Sequence, residues 1–352
     1  MKIIEKIGLK VLYKTDPERA HHLAIKALKF GLTPKPGLYT SERLKQNIAG
    51  LNLLNPIGLA AGFDKNAEAI KPLLKSGFGF IEVGAATPYP QKGNKKPRLF
   101  RLNEDQGSIN RFGFNNDGMQ IIAERLSKRP KIGLVGLNLG ANKHSSHRAI
   151  DFVKVLETCG EFIDFATVNV SSPNTEKLRD LQGEKALSAL LKGVIDTRNK
   201  LKKHIPIFLK IAPDLTNEEI SQIAQVALHA RIDAIIATNT TLDRTNLISR
   251  NQSQAGGLSG KPLFEKSTKV LAKLAYELEG NIPIIGVGGI NSAETAFEKI
   301  RAGASAVQLY TALVFHGLSL GYEIAKGLDQ ILEENGYDHI SQAIGSGIND
   351  YL

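Results

Sequence analysis

Eight short apolar runs recur after residue 50, each closed by a Gly/Asn/Thr-rich tip and followed by a longer amphipathic stretch. They are Ile57–Ala61, Gly79–Val83, Gly133–Asn138, Ala166–Val170, Ile207–Ile211, Ala234–Ala237, Pro283–Val287 and Ala306–Leu309. Near-continuous apolar runs alternating with helices suit a parallel sheet covered on both faces. Helical period is plain between them: after Thr216, an N-cap with Glu219 at capping-box spacing, apolar residues recur at Ile220, Ile223, Ala224 and Ala227. Further helices are predicted between Glu184 and Lys203 and from Ser292. Eight such units in roughly 270 residues match a closed (β/α)8 barrel, about 250 residues in typical length. The predicted class is therefore α/β, a (β/α)8 TIM barrel with a small N-terminal helical extension, and an open doubly wound sheet is the alternative. A barrel gathers chemistry at the C-terminal ends of its strands, where the polar tips fall.

Residues 1–40 read as the extension, 41–335 as the barrel and 336–352 as a C-terminal tail. Asp16-Pro17 makes an N-cap/N1 pair for a helix striped by Ala20, Leu23, Ala24, Ala27 and Leu28. Upstream, Ile3, Ile4, Ile7 and Val11 form a second stripe, edged by Lys2, Lys6, Lys10 and Lys14 at i, i+4 spacing. An apolar face rimmed by lysines suits an anionic bilayer surface, each lysine contributing about 1 kcal/mol. A helix packed on the barrel with solvated lysines fits the pattern equally well. Residues 85–112 are too long and too rich in Pro and Gly for a simple βα loop, and excursions of that kind are usually functional.

Hydrophobic residues at 42% and charged residues at 23% suit a globular chain. The single cysteine, Cys159, excludes internal disulfides and multi-cysteine metal sites, and it falls in a predicted helix as a core thiol. The net charge of +10 comes without Lys/Arg blocks interleaved with aromatics and without tryptophan, so nucleic acid is a poor partner. No apolar run is long enough to span a bilayer, and no secretory signal is read at the N-terminus. The eight histidines show no metal-ligand spacing; His21-His22, His144 and His147 read as surface or interface residues.

The tips carry the chemistry. Asn169-Val-Ser-Ser-Pro-Asn174 puts a hydroxyl among amides at a strand end, a kit that suits holding a planar anionic ring while a proton leaves carbon, although the same residues favour turns. Gly62 and Lys65 follow the first strand, Asn138 ends the third, Lys210 lies in the fifth, and Thr238-Asn239-Thr240 end the sixth. Amides and lysines inside apolar strands are costly to bury unpaired, so their recurrence at one barrel end points to a ligand. Gly256–Gly260, Gly286–Gly289 and Tyr310-Thr311 follow late strands, where glycine backbones cradle phosphate. A phosphate cradle, a cation and many amides suit flavin mononucleotide. No G-x-G-x-x-G with a properly spaced acid supports a dinucleotide fold.

These motifs resemble the dihydroorotate dehydrogenases, flavin enzymes of pyrimidine biosynthesis, and specifically their membrane-associated, quinone-reducing class. The resemblance runs over residues 8–325. It is carried by Asp16-Pro-Glu-Arg-Ala-His21, Gly58-Leu-Ala-Ala-Gly-Phe-Asp-Lys65, Lys96-Pro-Arg-Leu-Phe-Arg101, Ile109-Asn-Arg-Phe-Gly-Phe-Asn115, Asn169-Val-Ser-Ser-Pro-Asn174, Lys210-Ile-Ala-Pro-Asp214, Ala237-Thr-Asn-Thr-Thr241, Gly256-Gly-Leu-Ser-Gly260 and Ile285-Gly-Val-Gly-Gly289. The extension, and serine where the soluble class carries a catalytic cysteine, decide the class.

The resemblance implies oxidation of dihydroorotate to orotate with FMN as hydride acceptor and a membrane quinone as final acceptor. It makes Ser172 the catalytic base, its proton relayed onward by water or a hydroxyl such as Thr175. It places Lys65, Asn110, Arg111, Phe112, Gly113, Phe114, Asn169, Asn174, Asn239 and Thr240 at the substrate, with Arg111 to Phe114 contributing backbone. It places Ala61, Gly62, Phe63, Asp64, Lys65, Ala85, Asn138, Asn169, Lys210, Thr238, Gly260, Gly289, Tyr310 and Thr311 around FMN, and His21 and Arg101 at the quinone entrance. It implies a peripheral protein on the cytoplasmic face of the inner membrane, with an anionic membrane surface as partner and no metal. Ala85 and Ala141 depart from the family, which often has threonine and lysine there. The alternatives are a soluble-class enzyme using fumarate or NAD, and a membrane-bound scaffold without chemistry. Since every implied catalytic residue lies beyond position 60, the extension is expected to be separable from substrate oxidation.

Overall fold

The computed structural model describes residues 2–175 and 178–352, with the side chains of Lys2, Ile3 and Ile4 outside that description. Asp16 caps the second helix by accepting the Arg19 N–H at 3.0 Å, and Pro17 opens it, so the chain starts as a helical pair, α1 (Lys2–Tyr13) and α2 (Pro17–Lys29). An antiparallel hairpin follows, β1 (Gln46–Ile48) and β2 (Leu51–Leu53). Then come β3 (Ile57–Leu59), the short α3 (Ile70–Leu73) and β4 (Phe80–Ala86). The 85–112 excursion forms two antiparallel strands, β5 (Leu99–Leu102) and β6 (Gly107–Asn110). The alternation resumes with α4 (Met119–Ser127), β7 (Leu134–Leu139), α5 (Arg148–Cys159), β8 (Phe165–Asn169), α6 (Glu184–Arg198) and β9 (Ile207–Ile211). It ends with α7 (Asn217–Ala230), β10 (Ala234–Ala237), β11 (Gly257–Gly260), α8 (Phe264–Leu278), β12 (Ile284–Val287), α9 (Ala293–Arg301), β13 (Ala304–Leu309), α10 (Ala312–His316) and α11 (Leu320–Glu334).

Eight strands close a parallel barrel in the order β10-β12-β13-β3-β4-β7-β8-β9, which is the predicted (β/α)8 architecture. The eight apolar runs coincide with these strands to within a few residues at each end. The Thr216–Glu219 capping box forms as predicted. Cys159 is fully buried, and burial pushes its thiol up to about 12.

The floor of the barrel is plugged with apolar side chains. Phe80, Phe165 and Phe208 point inward from the starts of their strands, Phe165 and Phe208 stacking at 4.8 Å, and Ile48 and Leu53 of the hairpin close beneath them. Gly136 has no Cβ because one would lie 2.1 Å from the Phe165 ring. The plugged floor leaves the opposite end, where the strands finish, open to ligand. The tail packs onto the barrel wall: Ile340 and Ala343 are fully buried, and Asp350 pairs with Arg301 at 2.8 Å.

Candidate active site

A carboxylate in the barrel core organises the polar strand ends. Glu82, fully buried on β4, accepts Nδ2 of Asn138 and Nε2 of Gln308, each at 2.7 Å. A carboxylate accepts and never donates, so both amides must turn their nitrogens toward it. Asn138 is left with Oδ1 facing β8, where it accepts Nδ2 of Asn169 at 2.8 Å. Asn169 Oδ1 in turn accepts from Asn239 Nδ2 at 3.2 Å and from the Ser171 hydroxyl at 3.1 Å. Asn239 Oδ1 takes the Thr240 N–H at 2.8 Å. The charge at one end thus sets the donor–acceptor sense of the whole row.

The rest of the kit meets this row. Asn169 lies in register with Lys210 on the neighbouring strand. Burial lowers the Lys210 ammonium from the usual lysine range, with Glu82 opposing, and no described residue accepts a hydrogen bond from it. Ser172 is nearly buried; its Oγ accepts the Asn174 N–H at 3.3 Å, which leaves its own proton uncommitted among the described residues. Thr175 is buried without a hydrogen bond to Ser172, so the structure holds no direct relay between these two hydroxyls. Asn174 Nδ2 donates to Asn110 Oδ1 at 3.2 Å. Lys65 Nζ donates to Gly62 O at 2.7 Å and lies 4.4 Å from the Phe112 ring centroid, and enclosure pushes it down to about 8.

One cavity of about 750 Å³ joins these groups to the helical extension. Ala61, Gly62, Phe63, Lys65, Ala85, Asn138, Asn169, Ser172, Asn174, Lys210, Thr238, Asn239 and Thr240 line its floor and flanks. Asn110, Phe112, Gly113 and Phe114 close it from the excursion, and Gly260, Gly289, Tyr310 and Thr311 from the late strands. Its far end runs between α1 and α2, past Leu9, Leu12, Ala20, His21, Ala24 and Ala27, with Arg101 beside them. His21 stands edge-on to Phe63 at 5.5 Å, and burial keeps its imidazole well below the usual range, hence neutral. Arg101 donates to the carbonyls of Leu12, Tyr13 and Thr15, each at 3.1 Å, and so ties off the end of α1.

Several expectations are corrected. Asp64 is off the cavity wall: its carboxylate accepts the Glu68 and Ala69 N–H groups at 2.8 and 2.7 Å, shaping the turn that carries Lys65. The Arg111 side chain turns away from the cavity, its guanidinium donating to Gln254 Oε1, Ala255 O and Pro97 O, which leaves the expectation of a backbone contribution as it stood. Gly256–Gly260 is no loop cradle. Its β11 pairs with β6 to complete a three-stranded sheet, and of this stretch Ser259 and Gly260, the latter at φ +93°, line the cavity. Ile7, Val11 and Leu23 are exposed, as a face turned to a bilayer surface would be, and the expectations for Lys2, Ile3 and Ile4 fall outside the described residues. Ala141 is buried away from the wall. Glu82 and Gln308 were missed; an acid within Gly79–Val83 and a glutamine within Ala306–Leu309 were the available signals.

The model of the dihydroorotate dehydrogenase family matches residues 43–332. The chain belongs to that family. Among curated relatives, the dihydroorotate dehydrogenase (quinone) of Cereibacter sphaeroides strain KD131 is 57% identical over 353 residues, covering all of both chains. That of Agrobacterium fabrum is 49% identical, covering 99% of this chain and 97% of the relative. The dihydroorotate dehydrogenase of Eimeria tenella, solved with ferulenol, superposes with a TM-score of 0.90 at 38% identity, over 94% of this chain and 95% of that one. Its ligand-free form gives 0.91, covering 99% of that chain.

Proposed function

We propose that the chain oxidises dihydroorotate to orotate with FMN as bound hydride acceptor, and that a membrane quinone, reached between α1 and α2, is the final acceptor. The observation that carries the reading is the single cavity linking the polar strand ends to the helical pair. The residues present fit FMN. Gly288 and Gly289, at φ +117° and +78°, present bare backbone where a Cβ at Gly289 would lie 2.6 Å from Phe264 Cα. Lys210 Nζ has no acceptor among the described residues, and the buried Gln308 Oε1 has no donor. These three features match a phosphate and a polar ring edge.

In this reading Gly260, Gly289 and Thr311 hold the phosphate, while Ala61, Gly62, Ala85, Asn138, Thr238 and Tyr310 enclose the ring. FMN, when bound, supplies the hydride acceptor. Lys210 stabilises negative charge that develops at the ring edge beside it. Lys65 takes the substrate carboxylate; Asn110, Asn169, Asn174, Asn239 and Thr240 take the ring amides. Ser172 accepts the C5 proton and passes it to solvent, because an ordinary hydroxyl cannot keep it.

Residues 1–40 then serve as the acceptor's doorway, 41–335 as the catalytic barrel and 336–352 as a packed tail. Ile7, Val11, Leu23, Phe30 and Leu32 are exposed on or beside the two helices, with Lys6, Lys10 and Lys14 also exposed. No described helix is long and apolar enough to cross a membrane. This surface suits a peripheral attachment to the cytoplasmic face of the inner membrane. An absorption spectrum before and after anaerobic dihydroorotate tests the reading: flavin bands that bleach support it, and their absence refutes it. Turnover with quinone rather than fumarate tests the acceptor.

A further inference from the structure

We propose that Glu18, on the N-terminal extension, is a positioning residue for the substrate site. Glu18 and Arg98 are both buried, and Arg98 donates to Glu18 through Nη2 at 2.7 Å and Nε at 3.2 and 3.3 Å. The other arm of the guanidinium gives Nη1 to Lys92 O at 2.6 Å and Asn94 O at 2.9 Å. Gly93 permits this: a Cβ there would meet Phe112 O at 2.2 Å and Arg98 Nη1 at 2.8 Å. The turn so fixed points Asn94 inward. Its Nδ2 donates to Arg111 O at 3.0 Å and Asn174 O at 3.3 Å, and its backbone N–H donates to Phe112 O at 2.9 Å.

A chain of charge-assisted and amide hydrogen bonds therefore runs from α2 to both walls of the substrate pocket. Charge-assisted bonds of this type are the stronger and more directional ones. Removing the carboxylate leaves a buried guanidinium that must seek other acceptors, and those within reach are the carbonyls that set the turn. The extension is then not separable from substrate oxidation, contrary to the expectation from sequence.

This inference rests on the proposed function, and the test separates the two. Orotate binding is titrated through the flavin spectrum, and flavin reduction by dihydroorotate is followed without quinone. Glu18→Gln keeps the shape and loses the charge. Its orotate Kd and half-saturating dihydroorotate should rise at least about fivefold, the low end of site-to-site coupling, with a smaller change in limiting rate. Glu18→Asp should recover part of the loss. Asp16→Ala, which removes the α2 cap and leaves the ion pair, should not weaken orotate binding. If Glu18→Gln does not accumulate folded, Asn94→Ala carries the same expectation with the ion pair intact. Wild-type orotate binding combined with unchanged affinity in Glu18→Gln, or in Asn94→Ala where that stands in for it, overturns the inference alone. Failure of the wild type to bind orotate overturns the functional reading and this inference with it.

Discussion

Lys65 should make orotate binding pH-dependent in a range where most lysines do not titrate. Its ammonium uses one N–H on Gly62 O, which leaves two for the substrate carboxylate of the proposed function. Enclosure lowers it from 10.5 to about 8, so the free protein loses this charge as pH rises through that value. Only the charged form pairs with the carboxylate, so the apparent Kd scales with 1 + 10^(pH − 8), from about 1.1 at pH 7 to about 11 at pH 9, roughly a tenfold loss. A bound carboxylate raises the lysine again, so binding at pH 9 should take up nearly one proton from buffer. Calorimetry in two buffers of different ionisation enthalpy measures that uptake. In Lys65→Met the affinity at pH 7 should fall about 10- to 150-fold, from about 1.5–3 kcal/mol for a lost charge-assisted hydrogen bond, and the uptake should vanish. Ionisation of the ligand itself would survive in this variant and is thereby separated. A wild-type Kd flat from pH 7 to 9, with no proton uptake, refutes the assignment.

Ser172→Ala should retain flavin but slow its reduction by dihydroorotate by about 10²–10⁴, less at high pH where hydroxide substitutes; stopped-flow reduction at near wild-type rate would exclude Ser172 as the base. Glu82→Gln sets a new N–H against the Asn138 or Gln308 amide, so thermal unfolding should show a loss of about 1–3 kcal/mol together with weaker flavin retention. Ile7, Val11 and Leu23 changed to serine should reduce sedimentation with anionic liposomes while turnover with a short-chain quinone persists. Lys6, Lys10 and Lys14 changed to glutamine should instead flatten the salt dependence of that binding, and unchanged sedimentation in both variants would exclude this face.

The barrel was legible because its signal is repeated: a strand buried on both faces must be apolar throughout, and eight such runs leave few other topologies. The helix caps were legible for a local reason, since Thr216–Glu219 and Asp16-Pro17 satisfy orphan N–H groups within one turn. The excursion was recognised by its length. Its fold was not, because β11 reaches β6 across about 150 positions and glycines carry no period of their own. The outward aim of Ile7 and Leu23 was left open by the sequence for a related reason. A stripe shows that a helix has an apolar face, and only tertiary packing decides whether that face meets the protein or something beyond it.

The candidate site was legible as a set of residues and illegible as a circuit. Asparagine and lysine at successive strand ends announced a ligand, and most of the residues proposed from sequence line the cavity wall, with Asp64, Arg111, Thr175 and Gly256–Leu258 among those off it. What the pattern could not reveal is direction, because an asparagine donates and accepts equally well on paper. Direction comes from Glu82, which has no donor to offer and so compels Asn138 and Gln308 to turn their nitrogens inward. Asn138 and Asn169 each commit one N–H to the row and keep a second for the cavity, so these two strand ends confront a ligand as donors. With Lys65 and Lys210 added, the proposed function has a pocket of donors and cations to meet a carboxylate and ring carbonyls. A buried acid thus sets the hydrogen-bonding sense of the amides that line the cavity.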